Sequence, residues 1–66
     1  MKNRIKLLRV ERDLSQAQLA DVLGIARQTV GALEGGKYAP SLPLAFKIAK
    51  LFGKTVEEIF DASAIE

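Results

Sequence analysis

Arg27, Gln28 and Thr29 stand side by side in the sequence, and their side chains are suited to recognition. A guanidinium can donate to both O6 and N7 of guanine, and a carboxamide can pair with N6 and N7 of adenine. A threonine adds a hydroxyl that reaches a phosphate and a methyl that can lie against the methyl of thymine. None of this makes or breaks a covalent bond. The residues for bond-making chemistry are missing. The chain has no histidine and no cysteine, which removes the commonest general base, the commonest metal ligand, thiolate metal sites and disulfides. Glu57 and Glu58 are adjacent carboxylates, but neighbouring helix positions diverge by about 100 degrees and do not converge on one substrate. With no nucleophile–base set and no phosphate-binding glycine motif, neither an enzyme nor a cofactor or metal is expected.

The elements that must position these side chains lie in residues 15–37. Ser15 with Gln18 three residues later has the form of a capping box opening a helix. Leu19, Ala20 and Leu23 form its apolar face, Gly24 supplies a left-handed stop, and Ile25 plugs the turn. A second helix over residues 27–34 buries Val30 and Leu33. It is poorly supported by its own sequence. Ala26 at the cap position costs about 1 kcal/mol relative to serine, and Gly31 inside the helix costs roughly another 1 kcal/mol relative to alanine. Two such helices at about 15–34 make a helix-turn-helix, whose second helix can lie in the major groove of DNA.

The remaining segments read as further helices around this pair. Over residues 3–12, Ile5, Leu8 and Arg12 fall at helical spacing with Leu7 beside them, and Asn3 is placed to cap. Leu14 is expected as a buried anchor. Residues 35–40 are a loop by composition. Ser41 caps the next helix, with Pro43 in its first turn, an apolar stripe of Leu44, Ala45, Ile48, Ala49 and Phe52, and Gly53 as its stop. Thr55 and Glu58 form a second capping box before Val56, Ile59 and Phe60. The sum is an all-α chain of five helices forming a single domain over 1–66. No apolar run approaches the roughly 20 residues that cross a bilayer, and the interrupted start is no signal-peptide core, so a cytoplasmic protein is expected. Lys2, Arg4, Lys6, Arg9 and Arg12 face only Glu11 in the first twelve residues, while the whole chain carries +2. That asymmetry suits a polyanionic partner, although on charge alone a solvated helix face is the simpler reading.

The run Ser15-Gln16-x-x-Leu19-Ala20, followed by Gly24, Arg27-Gln28-Thr29-Val30, Glu34-x-Gly36-Lys37 and Pro40-Ser41-Leu42, resembles the phage-repressor/Cro-like (XRE-type) helix-turn-helix regulators. Leu44-Ala45-x-Lys47-Ile48-Ala49 and Ile59-Phe60 extend the match over almost the whole chain. The resemblance implies a five-helix, lambda-repressor-like DNA-binding domain that binds a palindromic operator, usually as a homodimer. It places Arg27, Gln28 and Thr29 at the base edges. Gln16, Gly36, Lys37 and Tyr38 fall at the phosphates, with Gln16 also available to brace the second helix of the motif and Tyr38 equally able to pack on the fourth helix. It aligns Arg9 with Glu34 as a structural bridge, worth on the order of 3 kcal/mol to break if partly buried. Polar residues common in the family at the positions of Gly31 and Ala32 are absent, which concentrates base reading on Arg27 and Gln28 or weakens it.

A dimer surface is expected from Val56, Ile59, Phe60 and Ile65, which offer more apolar area than a small core needs; Phe60 is equally suited to the core. The competing function is a protein-interaction or adaptor module on the same fold, without specific DNA binding.

Overall fold

Local signals set the helix boundaries. The computed structural model describes residues 1–61. Its helices in chain order are α1 (Ile5–Glu11), α2 (Gln16–Leu23), α3 (Arg27–Glu34), α4 (Leu42–Phe52) and α5 (Val56–Ile59). The Gln18 N–H donates to the Ser15 hydroxyl oxygen, and the Ser15 N–H donates to the Gln18 carboxamide. Thr55 and Glu58 repeat the reciprocal pair at α5, and Ser41 caps α4. Each box satisfies donors that a helix start leaves free.

Helix ends are closed as regularly as their starts. Gly24 and Gly36 adopt φ of 71° and 72°, a region that glycine enters without a Cβ penalty. After α2, the N–H groups of Gly24 and Ile25 donate to the carbonyls of Asp21 and Ala20. After α3, those of Gly36 and Lys37 donate to Leu33 and Ala32. Both are Schellman closures. Side chains from other helices add to them. Lys47 on α4 donates to the Leu23 carbonyl at 2.8 Å. Arg12 donates to the carbonyls of Leu51 and Phe52 at 2.8 and 3.0 Å, its guanidinium 5.3 Å from the Phe52 ring centre. Cations at C-terminal carbonyls complement the helix dipole.

The core draws on every helix: Ile5 and Leu8, Leu19 and Leu23, Val30 and Leu33, Ile48 and Phe52, and Ile59. Leu14 and Ile25 are half-buried and pack against it. Leu7, placed beside the inner face of α1, is exposed. No helix among the described residues is long and apolar enough to cross a membrane.

The expected dimer surface requires correction. Ile59 and Phe60 are 1% and 5% exposed and belong to the protomer's own core. The backbone explains why. The Arg4 N–H donates to the Ile59 carbonyl and the Asp61 N–H to the Lys2 carbonyl, both at 2.9 Å, so Phe60 pairs with Asn3 in an antiparallel bridge. That pairing draws the end of α5 onto α1. Val56 is half-buried, and Ile65 lies outside the described residues.

The Thr55 backbone N–H, and then its hydroxyl, hold the Glu58 carboxyl below its ordinary pKa. The box is therefore complete above the ordinary carboxylate pKa and is lost as pH falls through the lowered one. Thr55→Ala is expected to cost about 1 kcal/mol in urea melts. It should also move the Glu58 titration, followed by side-chain NMR, up toward the ordinary value.

Candidate nucleic-acid interface

α3 begins without a side-chain cap. Ala26 has the extended backbone of a cap residue, at φ −71° and ψ 146°, but no group to accept a hydrogen bond. Arg27 and Gln28 follow in the first turn, both exposed, with Thr29 half-buried beside them. On one flank, Gln28, Arg27, Ala26 and Gly31 face Gln16 at the start of α2 across a shallow concavity. On the other, Gln28, Thr29 and Ala32 face Tyr38 across a second one. Gln28 thus lies on the crest between two grooves. The residues read as base contacts are brought to one surface, with Gln16 and Tyr38 at its margins.

What holds that surface in place is an ion pair. Arg9 Nε donates to Glu34 Oε2 at 2.5 Å, and Nη2 donates to Oε1 at 3.3 Å. The Gln16 carboxamide donates to the same Oε1 at 3.1 Å. The third arm of the guanidinium, Nη1, donates to the Leu14 carbonyl at 2.8 Å. The side chains of Arg9 and Glu34 are only 12% and 5% exposed. The hydrogen bond to Glu34 raises the Arg9 pKa above its ordinary value against the opposing effect of burial. One carboxylate at the end of α3 therefore ties it to α1 and α2. Gln16 is a brace in this structure, with one of its two amide hydrogens committed to Glu34.

Beyond the ion pair, Asn3 secures the same end of the helix. Its Nδ2 donates to the Leu33 carbonyl at 2.7 Å, while its Oδ1 accepts from the Ile5 N–H at 3.0 Å. The cap position of α1 is held by Arg4 and not by Asn3 as expected; Asn3 accepts the Ile5 N–H from one residue further out and joins the start of α1 to the C-terminal end of α3. The Met1 amino group donates to the Gly36 carbonyl.

Two expectations about phosphate contacts change. The backbone N–H groups of Gly36 and Lys37 are already spent on the Schellman closure of α3, so the glycine turn offers no free donors there. Of the two, Lys37 is left with its exposed ammonium. The basic first segment also fails to form one cationic stripe. Arg9 neutralises Glu34 and Arg12 closes α4. Lys2 and Arg4 border a depression shared with Glu57, Glu58 and Asp61. The fold matches much of this charge internally. No local signal marks Arg12 or Lys47 as helix closers, because their partners lie 39 and 24 residues away.

Comparison with known proteins accords with this geometry. The family profile described as helix-turn-helix matches residues 5–59. An uncharacterized HTH-type transcriptional regulator of Methanocaldococcus jannaschii is 57% identical over 60 residues, covering 91% of each chain. The transcriptional repressor RstR of a cryptic phage, CTXphi, in Vibrio cholerae is 38% identical over 61 residues, covering 92% of this chain and 55% of the repressor. The crystal structure of the restriction-modification controller protein C.AhdI from Aeromonas hydrophila superposes with a TM-score of 0.75 at 35% identity, covering 86% of each chain.

Removing one member of the buried pair leaves the other uncompensated. Arg9→Met should therefore destabilise the fold by about 3 kcal/mol. Arg9→Met combined with Glu34→Met should cost much less than the sum of the single changes, because no buried charge remains. Urea denaturation of the four proteins in this cycle measures the coupling.

Proposed function

This chain belongs to the helix-turn-helix family and is a DNA-binding transcriptional regulator, and we propose that it acts as a homodimeric repressor reading a palindromic operator in the cytoplasm. The observation that carries this reading is the outer face of α3, where exposed Gln28 stands between two shallow grooves and exposed Arg27 lines one of them, on a helix clamped from behind. Placed in the major groove, Arg27 pairs with O6 and N7 of a guanine and Gln28 with N6 and N7 of an adenine. Thr29 contacts a neighbouring phosphate or thymine methyl. Lys37 and the hydroxyl of Tyr38 serve the phosphates flanking α3, and the remaining amide hydrogen of Gln16 serves those at the start of α2. Phosphate contacts set register, and base contacts set sequence.

A second copy completes the reader. Leu42 and Phe46 are 65% and 59% exposed, and with half-buried Val56 they line an apolar groove along α4 and α5 that shares no lining residue with the two concavities beside Arg27 and Gln28. An exposed apolar strip of this kind suits a self-complementary contact about a two-fold axis. That axis would set the two copies of α3 about 34 Å apart, one turn of DNA. The dimer surface is thus assigned to Leu42, Phe46 and Val56, in place of Ile59 and Phe60.

Selection from a random duplex library, followed by binding titrations at several salt concentrations, tests the reading. Affinity should fall steeply with salt and should favour the selected site over random duplex. Arg27→Ala should cost roughly 1–3 kcal/mol of discrimination at one base position. Lys37→Ala should weaken all sequences alike and reduce the salt slope by about 1. Equal losses on selected and random DNA for Arg27→Ala would remove its base-reading role, and no preference by the wild-type protein would favour an adaptor on this fold. Sedimentation should show a dimer at tens of micromolar, and Phe46→Glu should yield a folded monomer. A wild-type monomer at that concentration would defeat the dimer.

A further inference from the structure

Gly31 occupies a helix interior, where glycine is among the least favourable residues. Nothing among the described residues calls for it there. Its φ is not in the left-handed region that explains Gly24, Gly36 and Gly53. A Cβ added at Gly31 would meet no atom of the described residues within 4 Å beyond its chain neighbours and its own helix backbone, so their packing does not exclude a side chain either. Alanine would fit the free protein and would strengthen a helix that already lacks an N-cap. A glycine that neither backbone nor packing requires has one further physical use, the close approach of another molecule to the main chain.

Its position says where that molecule comes from. Gly31 follows Arg27 by four residues and Gln28 by three, so the three share a helix face. All three line the same concavity as Gln16 and Ala26. The contact is also chemically constrained. The Gly31 carbonyl accepts the Gly35 N–H at 3.0 Å, and its own N–H lies inside the helical ladder. The backbone there has no free donor, and the surface that the missing Cβ leaves bare is the Cα methylene, so the group that fits against it is apolar. In the major groove the apolar group on a base edge is the C5-methyl of thymine.

We infer that Gly31 is a specificity-determining residue whose bare Cα accommodates a thymine methyl, seated by Arg27 and Gln28 one turn earlier. This rests on the DNA-reading role proposed above. A Cβ at position 31 occupies the space of that methyl, so protein and DNA can be altered reciprocally. Gly31→Ala should melt at a higher temperature than wild type, yet bind the selected operator at least tenfold more weakly. Its affinity for random duplex at low salt should be unchanged. Replacing operator thymines with uracil one at a time removes single methyl groups. At one base pair this should recover most of the Gly31→Ala loss while weakening the wild-type complex. Gly31→Ala binding the operator as tightly as wild type would overturn the inference and leave the DNA-reading role intact. A loss that no uracil relieves would overturn the assignment to a thymine methyl. Absence of any preferred duplex for the wild-type protein would instead remove the premise, and the inference with it.

Discussion

The buried carboxylate of Glu34 is the constraint on which the arrangement of α1, α2 and α3 depends. A negative charge in the last turn of a helix opposes the dipole, and at 5% exposure it has little water to offset that cost. It is tolerable because Arg9 supplies two donors and Gln16 a third. Arg9 and Gln16 come from α1 and the first turn of α2, so satisfying one carboxylate fixes two interhelix relationships together. Arg9 also reaches the Leu14 carbonyl, bracing the link in which Asp13 takes a φ of 56°. A well-packed apolar trio could match the stability of such a network. It would not impose the same directionality, because hydrogen bonds discriminate among orientations that apolar contacts accept equally.

The same logic extends to the helix ends. Asn3 closes α3, Lys47 closes α2 and Arg12 closes α4, each from outside the helix it closes: Asn3 and Arg12 flank α1, and Lys47 lies on α4. A chain this short buries too little surface to hold its helices by apolar contact alone with wide margin. Here, polar side chains reaching across the core complete helices whose own sequences leave carbonyls free. α3 depends on this most, being uncapped at its start and interrupted by Gly31. The helix with the least propensity of its own is the one clamped by the most neighbours. Its orientation relative to α2 is therefore a property of the whole fold.

That division explains what could be read from the sequence. Ser15–Gln18, Thr55–Glu58, Gly24 and Gly53 are local signals with partners within five residues, and the helix boundaries they mark agree with the structure. The Arg9–Glu34 pair was accessible only through family resemblance, since 25 residues separate its members. Arg12 and Lys47 carried no such cue. Charge counting over the first segment favoured a solvated face and left a polyanion site open, because it cannot show that Arg9 and Arg12 are spent inside the fold. Periodicity at α5 showed that Ile59 and Phe60 sit on an apolar face. Whether a face is covered by its own chain or by another is decided by tertiary pairing, here the Asn3–Phe60 bridge.

The sparse reading face bears on how many copies are needed. Each bidentate base contact is worth about 1–3 kcal/mol of discrimination, and one α3 presents two side chains capable of it, Arg27 and Gln28. Specific binding of operators typically exceeds non-specific binding by about 4–10 kcal/mol. A single copy therefore reaches at most the lower part of that range, and the thymine contact inferred at Gly31 would add only a modest apolar increment. Nor can net charge make up the difference, since phosphate attraction strengthens all duplexes alike. Doubling the base contacts through a two-fold axis brings the sum within range without enlarging the protein. In the proposed homodimer, the apolar strip of Leu42, Phe46 and Val56 and the small side chains on α3 would be linked features. In the homodimer proposed above, a reader with few base contacts per copy would gain its selectivity by reading twice.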